Sequence, residues 1–490
     1  MSNIEFDYAQ ANSLVQQKQY DAARKIYIQI SEKNPFDFDA ALQELRCSMH
    51  VCDWRRYDHL QRLIQGTVRY MNGWACGSTL LASPYFNAAD LRLSADRYAA
   101  MWLGKRQSDV SATVACLSED RRTIRVGFLG RQFDQGPLAD FAMSVVRRQH
   151  DRNSFEYVIY DMAPDSAIRQ GTEKLFGAFN RYVPVSGLGC EELAIRLRKD
   201  GLDVLVFMQG PTDPLVGVLV HKPAPCVLGF PIYPAPLGTL VDGLIVDHVI
   251  VPPGREADFS EKIWRVPGCY RTKQWKPVTY RRARRIDHGL PVAACVLAYF
   301  GPSHKITPDL FDRWCAVLRR FPGCVLWLLA RDQTVTLNLS REAEIRGVGR
   351  ERLIFATRLN EINHRQRWSC ADIALDTYPY NSFSNVHDAL SAGVAVVTWA
   401  GETMASRIGA SLLKSADLVS GVATSGDKYE SCLEGLISNP TERLRIRAHL
   451  IGERGVLRNR QDDTRTLLEA IWTQVCQKRA ADNGHRERRS

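Results

Sequence analysis

Between Ala371 and Arg407 the chain reads ADIALDTYPYNSFSNVHDALSAGVAVVTWAGETMASR. An apolar run, Ile373-Ala374-Leu375, ends at Asp376 and is followed by a loop rich in Pro, Asn and Ser. Ser384 then opens a helical pattern that Gly393 closes, and Val394-Ala395-Val396-Val397 is a second apolar run. The order is strand, loop, helix, strand. In an open parallel sheet, ligands bind beyond the carboxyl ends of the strands, so an acid ending a buried strand is placed to hydrogen-bond a ribose. The amides that start the next helix, near Ser384-Asn385, face the same crevice and suit a diphosphate. The same spacing also fits plain capping, with Asp376 closing a loop and Ser384 a helix. Both readings stand at this level.

The alternation is not local. Ile124–Leu129, Phe155–Asp161 and Val204–Met208 are strand-length apolar runs separated by segments of helical length such as Cys190–Lys199, which predicts a doubly wound α/β domain. Pro252-Pro253 and the basic stretch Tyr280–Arg285 lead into a second series: strands at Val296–Phe300, Val325–Leu329 and Leu353–Ala356, a helix over Pro308–Arg320, and then the segment above. Two α/β halves in tandem imply a cleft. Upstream, to about Arg122, the period is helical. Ala11, Leu14, Ala23, Tyr27, Ile30 and Pro35 fall at the offsets of one tetratricopeptide unit, and a single such unit must stack on the helices next to it in the chain. The triplet Asp37-Phe38-Asp39 has the outline of a DxD metal motif, but it lies in the turn after Pro35, where helix capping is the expected role.

Lys and Arg outnumber Asp and Glu by 64 to 54, a formal charge of +10 that favours anionic ligands without naming one. Part of the excess is a basic tail, Arg486-Glu487-Arg488-Arg489. No aromatic-interleaved basic stripe is present, so nucleic acid is not an expected partner. The start, MSNIEFDYAQ, lacks a basic stretch followed by an apolar one, and no window approaches membrane length, which leads to the expectation of a cytoplasmic protein with no membrane span. The 13 cysteines lack CxxC spacing and include Cys295, Cys324 and Cys370 in apolar surroundings, a pattern for buried thiols.

Several motifs in register carry a resemblance. They are Gly301-Pro302-Ser303-His304-Lys305-Ile306-Thr307-Pro308, Val325-Leu326-Trp327-Leu328-Leu329, Leu375-Asp376-Thr377 and Gly401-Glu402-Thr403-Met404-Ala405-Ser406-Arg407, with Lys222-Pro223-Ala224-Pro225 and Phe259-Ser260-Glu261-Lys262-Ile263-Trp264 in the first half. From about Cys52-Asp53-Trp54 onward the chain resembles the O-linked N-acetylglucosamine transferase and SPINDLY family, whose relatives include bacterial enzymes that glucosylate asparagine on adhesins. The resemblance implies a GT-B fold of two Rossmann-like domains preceded by a short all-α, TPR-like domain. The division expected is 1–120 helical, 121–280 Rossmann-like on the acceptor side, 281–475 Rossmann-like and binding the nucleotide sugar, and 476–490 a basic tail. It also implies no metal and no cofactor, a UDP-sugar donor and an acceptor protein.

Position by position, Lys305 stands where the family places a lysine on the diphosphate, His364 and Arg367 where it contacts the uracil, Asp376 where it binds the ribose, and Ser384 and Asn385 in its phosphate loop. The loop departs from the family's Gly-Gly-Thr-Thr or His-Thr-Thr runs, since Phe383 is bulky where glycine or histidine is frequent. On the catalytic side, two family histidines correspond to Gly136 and Pro211. Asp140, with Asp134 second, is the nearest acid to replace them, while capping and turn roles remain open for both. The function expected is metal-independent, inverting transfer of one sugar from UDP-GlcNAc or UDP-glucose to a protein side chain. The alternatives are an inactive UDP-sugar-binding or interaction module and a cytoplasmic asparagine glucosyltransferase.

Overall fold

The computed structural model describes residues 3–71, 77–104, 123–131, 133, 138, 155–163, 179–230, 232–271, 283–330 and 332–452. The N-terminal segment is helical: α1 (Asn3–Gln16), α2 (Tyr20–Lys33), α3 (Phe38–Val51), α4 (Tyr57–Tyr70), α5 (Ser78–Leu81) and α6 (Ala88–Gly104). Ala11 and Val15 of α1 meet Ala23, Tyr27 and Ile30 of α2 and Ala40 and Cys47 of α3 in one buried cluster, so the apolar positions of the first forty residues do form an inter-helix seam. Asp37 is the N-cap of α3, its carboxylate accepting from the Ala40 amide at 3.0 Å and from the Tyr8 hydroxyl at 2.6 Å. The DxD outline is therefore a helix start.

The first α/β half has strands β1 (Ile124–Gly130), β2 (Phe155–Asp161), β3 (Arg181–Pro184), β4 (Val204–Phe207), β5 (Cys226–Gly229), β6 (Gly243–Asp247) and β7 (Lys262–Val266), with α7 (Cys190–Lys199) before β4. They form a parallel sheet in the order β3-β2-β1-β4-β5-β6-β7. Pro252-Pro253, read as part of the boundary between the halves, lies inside this sheet's β6–β7 connection.

The second half contains β8 (Cys295–Tyr299), α8 (Pro308–Arg320), β9 (Cys324–Leu329), α9 (Gln333–Ile345), β10 (Leu353–Ala356), α10 (Glu361–Arg367), β11 (Ile373–Leu375), α11 (Phe383–Ser391), β12 (Ala395–Trp399), α12 (Ile408–Ser415), β13 (Val422–Ala423), α13 (Gly426–Ser438) and α14 (Pro440–Ile451). Its sheet, also parallel, runs β10-β9-β8-β11-β12-β13. In both sheets the strand order reverses between two central strands, β1 and β4 in the first, β8 and β11 in the second, and these reversals are where an open sheet binds ligands. Helix starts are set by sequence: Thr307 caps α8 through the Leu310 amide with Pro308 in the first turn, Asp332 caps α9, Asn360 caps α10 and Ser425 caps α13. Gly393, at φ +74°, closes α11.

Contacts within the chain group Met1–Asp90 with Trp275–Arg460 in one compact unit, so the first helices pack on the second α/β half. The second unit is built on Leu91–Gln274. Replacing Asp37 with Ala removes a cap and leaves Tyr8 without its acceptor. The expected loss is about 1–2 kcal/mol, read as a lower urea midpoint; an unchanged midpoint would show that this cap does not hold the helical segment.

Candidate functional site

The reversal in the second sheet is built around Asp376, the residue after β11. Its carboxylate is fully buried. Oδ1 accepts from the amides of Thr377 (2.9 Å) and Ser382 (2.8 Å), and Oδ2 accepts from the Thr398 hydroxyl at 2.7 Å. Burial pushes this carboxyl up to about 6, against the opposing pull of the Thr398 hydroxyl, the two amides and the Lys305 charge. Through these three bonds the Asp376 side chain holds the Thr377–Ser382 loop, as the capping reading of this residue expects. Gly409 is fixed by the same contact, because a Cβ there would collide with Asp376 Oδ2 and Thr398 Oγ1.

Lys305 follows β8 in a single 3-10 turn, Ser303–Lys305, and is buried. Its Nζ donates to the Asn381 carbonyl at 2.8 Å and lies 3.4 Å from the centre of the Tyr380 ring. Asn381 is itself anchored, donating to the Thr377 carbonyl at 2.6 Å and accepting from the Gly409 amide at 3.1 Å. The ammonium therefore sits on the loop that Asp376 shapes. Beside it starts α11, with Ser384 exposed in its first turn, where amides have no intrahelical acceptor. Asn385 follows, and its side-chain amide accepts from Phe300 N at 2.9 Å and donates to Leu375 O at 3.3 Å, tying the ends of the two central strands together.

His364 and Arg367 share one face of α10. Arg367 is 1% exposed, donates to the Thr357 carbonyl at 2.7 Å, and lies 4.2 Å over the Phe300 ring. Burial holds its guanidinium down at about 10, still charged at neutral pH. No carboxylate among the described residues ion-pairs with it. Its second nitrogen meets His364 Nδ1 at 2.5 Å, and because a guanidinium only donates, Nδ1 is the acceptor and the proton of a neutral ring resides on Nε2. His364 thus offers a donor.

Sequence reasoning missed Asp388. It is nearly buried in α11, with Oδ1 3.4 Å from His387 Nδ1 and 3.9 Å from Nε of Arg365, which belongs to the helix carrying His364 and Arg367. The signal was available, since Ser384 and Asp388 are four apart and share a helix face. On the first sheet, Asp140, Asp134 and Gly136 lie outside the described residues. Pro211 follows β4 and brings no titratable group. Its neighbour Gln209 is buried, with Nε2 lacking a hydrogen-bond partner, an amide that only the ordered structure reveals. Among the described residues, no cluster of three His, Cys, Asp or Glu side chains could hold a metal ion, and no helix is long and apolar enough to cross a membrane.

Comparison with known proteins decides the family. The model of glycosyl transferase family 41 matches residues 95–276 and 271–459. The chain belongs to this family. It is 26% identical over 327 residues to a probable UDP-N-acetylglucosamine--peptide N-acetylglucosaminyltransferase, SEC, of Arabidopsis thaliana, covering 65% of this chain and 33% of that protein. It is likewise 26% identical over 395 residues to the SPINDLY protein of Oryza sativa subsp. japonica, covering 76% of this chain and 40% of that protein. The chain thus spans between a third and two-fifths of the length of these curated relatives. The O-GlcNAc transferase structure of Thermobaculum terrenum superposes with a TM-score of 0.80 at 22% identity, over 98% of this chain and 92% of that one. The fold of this family 41 chain is GT-B, two Rossmann-like domains with an N-terminal helical region.

Asp376 gives a pH test. In an unfolded chain an aspartate ionises near 3.8, in the folded protein near 6. Between these values the folded state holds a proton that the unfolded state has released, so stability falls as pH rises through the window. Measured against Asp376→Asn, which does not titrate, the wild type should lose roughly 2 kcal/mol from pH 4 to pH 7. Chemical denaturation of both proteins across that range checks it, and a constant difference would mean that the carboxyl is not raised.

Proposed function

We propose that this family 41 chain is a metal-independent, inverting glycosyltransferase that moves one sugar from a UDP-sugar, UDP-GlcNAc or UDP-glucose, to a protein side chain. The observation that carries the reading is the buried Lys305 ammonium at the strand-order reversal, beside the amide-rich first turn of α11. In the transfer, an oxygen or nitrogen of the acceptor bonds to the anomeric carbon as the bond from that carbon to the diphosphate oxygen breaks. Negative charge grows on UDP, and Lys305 with the α11 amides and the Ser384 hydroxyl would take it up.

Arg367 and the Nε2 donor of His364 would hold the uracil. The acid for the ribose is Asp388 in this reading, with Asp376 serving one step back as the residue that shapes the loop. Asp140 would receive the acceptor's proton, with Asp134 second. Support for a UDP donor and a protein acceptor comes from the relatives named for UDP-N-acetylglucosamine and peptide. One observation favours a second reading, a UDP-sugar-binding module without catalysis: after β4, the position that corresponds to a family histidine is Pro211, which supplies no base.

Purified protein given UDP-GlcNAc, UDP-glucose or GDP-fucose with a lysate as acceptor should transfer sugar from one UDP donor. Lys305→Ala should lower kcat by roughly 10²-fold or more, Asp388→Ala should raise the donor KM roughly tenfold, and Asp140→Asn should lower kcat with little effect on UDP affinity. UDP binding without transfer or slow hydrolysis would favour the binding module. Absence of UDP binding would remove both readings.

A further inference from the structure

The turn that carries Lys305 is held from outside the α/β half. A helix leaves its last four carbonyls without intrahelical partners. At the end of α3, Ser48 O accepts from the Asp53 amide at 3.0 Å and Met49 O from the Cys52 amide at 3.3 Å. The remaining two are satisfied by the nucleotide-binding half: His50 O accepts from Ser303 Oγ at 2.6 Å, and Val51 O from Asn338 Nδ2 at 2.8 Å. Cys52, in the left-handed region at φ 54°, points its Sγ at Ser303 O, 3.8 Å away.

Side chains repeat the grip. The His50 ring stacks on Tyr20 with centroids 3.9 Å apart and planes 4° from parallel, and its other neighbour is the His304 ring at 4.5 Å. Below this stack, Trp54 meets Phe311 at 5.5 Å, with Arg346 over both rings. Ser303 and His304 are therefore fixed by the helical segment, and Lys305 is the next residue in the same turn, which closes through Lys305 N to Pro302 O at 3.2 Å and Ile306 N to Ser303 O at 2.9 Å. A displacement of either anchor moves the start of the lysine side chain.

We infer that Ser303, His50 and Tyr20 are positioning residues for the Lys305 ammonium, so that the N-terminal helices form part of the donor site. This rests on the donor-site reading above. It gives the helical segment a second consequence besides contact with an acceptor: whatever shifts α3 changes affinity for the nucleotide diphosphate.

Calorimetric titration of the full chain with UDP tests the inference. Ser303→Ala and His50→Ala should each weaken UDP binding roughly three- to tenfold and raise the donor KM. His50→Phe, which keeps a flat ring between Tyr20 and His304, should restore the affinity. Tyr27→Phe is the control, since it removes the 2.8 Å bond to Asn12 in the helical core and should lower Tm while leaving UDP affinity unchanged. Wild-type affinity in Ser303→Ala and His50→Ala beside a weakened Lys305→Ala would overturn the positioning role. Equal weakening in Tyr27→Phe and Ser303→Ala would do the same, by reducing the effect to general stability. Wild-type affinity in Lys305→Ala would instead bring down the donor-site reading itself.

Discussion

The second α/β half depends on a carboxylate held away from water. Removing Asp376 from solvent is costly unless its oxygens find donors, and here two amides and a hydroxyl converge on it. With the Ser382 amide drawn back to β11, the chain turns into α11, and the Thr377–Ser382 backbone is left facing Lys305. The clamp continues into the core, because the Asp376 carbonyl accepts from the Tyr429 hydroxyl at 3.0 Å, which accepts in turn from Trp314 at 3.1 Å. Helices α8 and α13 are thereby connected to the strand end. A buried hydrogen-bonded network of this kind fixes one arrangement more firmly than apolar packing does, since any slip leaves polar groups unpaired.

This explains what was legible in the sequence. The strand before Asp376 and the closure of the next helix at Gly393 could be read because each boundary is made by local chemistry, an apolar run and a glycine at positive φ, while the helix itself starts one residue before Ser384, at Phe383, with no side-chain cap. The helices Cys190–Lys199 and Pro308–Arg320 were legible for the same reason, having both a period and clear ends. Strands β3, β5, β6, β7 and β13 were not. They are two to five residues long, and β5 and β6 are buried along their whole length, so no alternation marks them.

The site divides along the same line. Sequence could place Asp376 at a strand end, but whether its oxygens face a ligand or the loop depends on Thr398, a residue 22 positions away. Sequence could place Asn385 in the loop, but the two strand ends that its side chain joins are visible only in the structure. Asp388 shares a helix face with Ser384, which the spacing shows, but its nearness to Arg365 is a tertiary fact. The hold of α3 on Ser303 was equally silent, since the residues involved are some 250 positions apart and one partner is a backbone carbonyl.

The two cations of the candidate site are seated alike. Lys305 lies over the Tyr380 ring and Arg367 over the Phe300 ring, each also donating to a backbone carbonyl. A ring face and a carbonyl stabilise a buried cation without neutralising it. Phe300 links the two ends of this arrangement. Its amide is bound by Asn385 of α11, and its ring meets Arg367, His364, Trp327 and Trp368. The position of the arginine on α10 and the start of α11 are therefore referred to one residue at the end of β8, five residues before Lys305. The separation of Arg367 and His364 on one side from Lys305 and the α11 start on the other is therefore set through that single strand end.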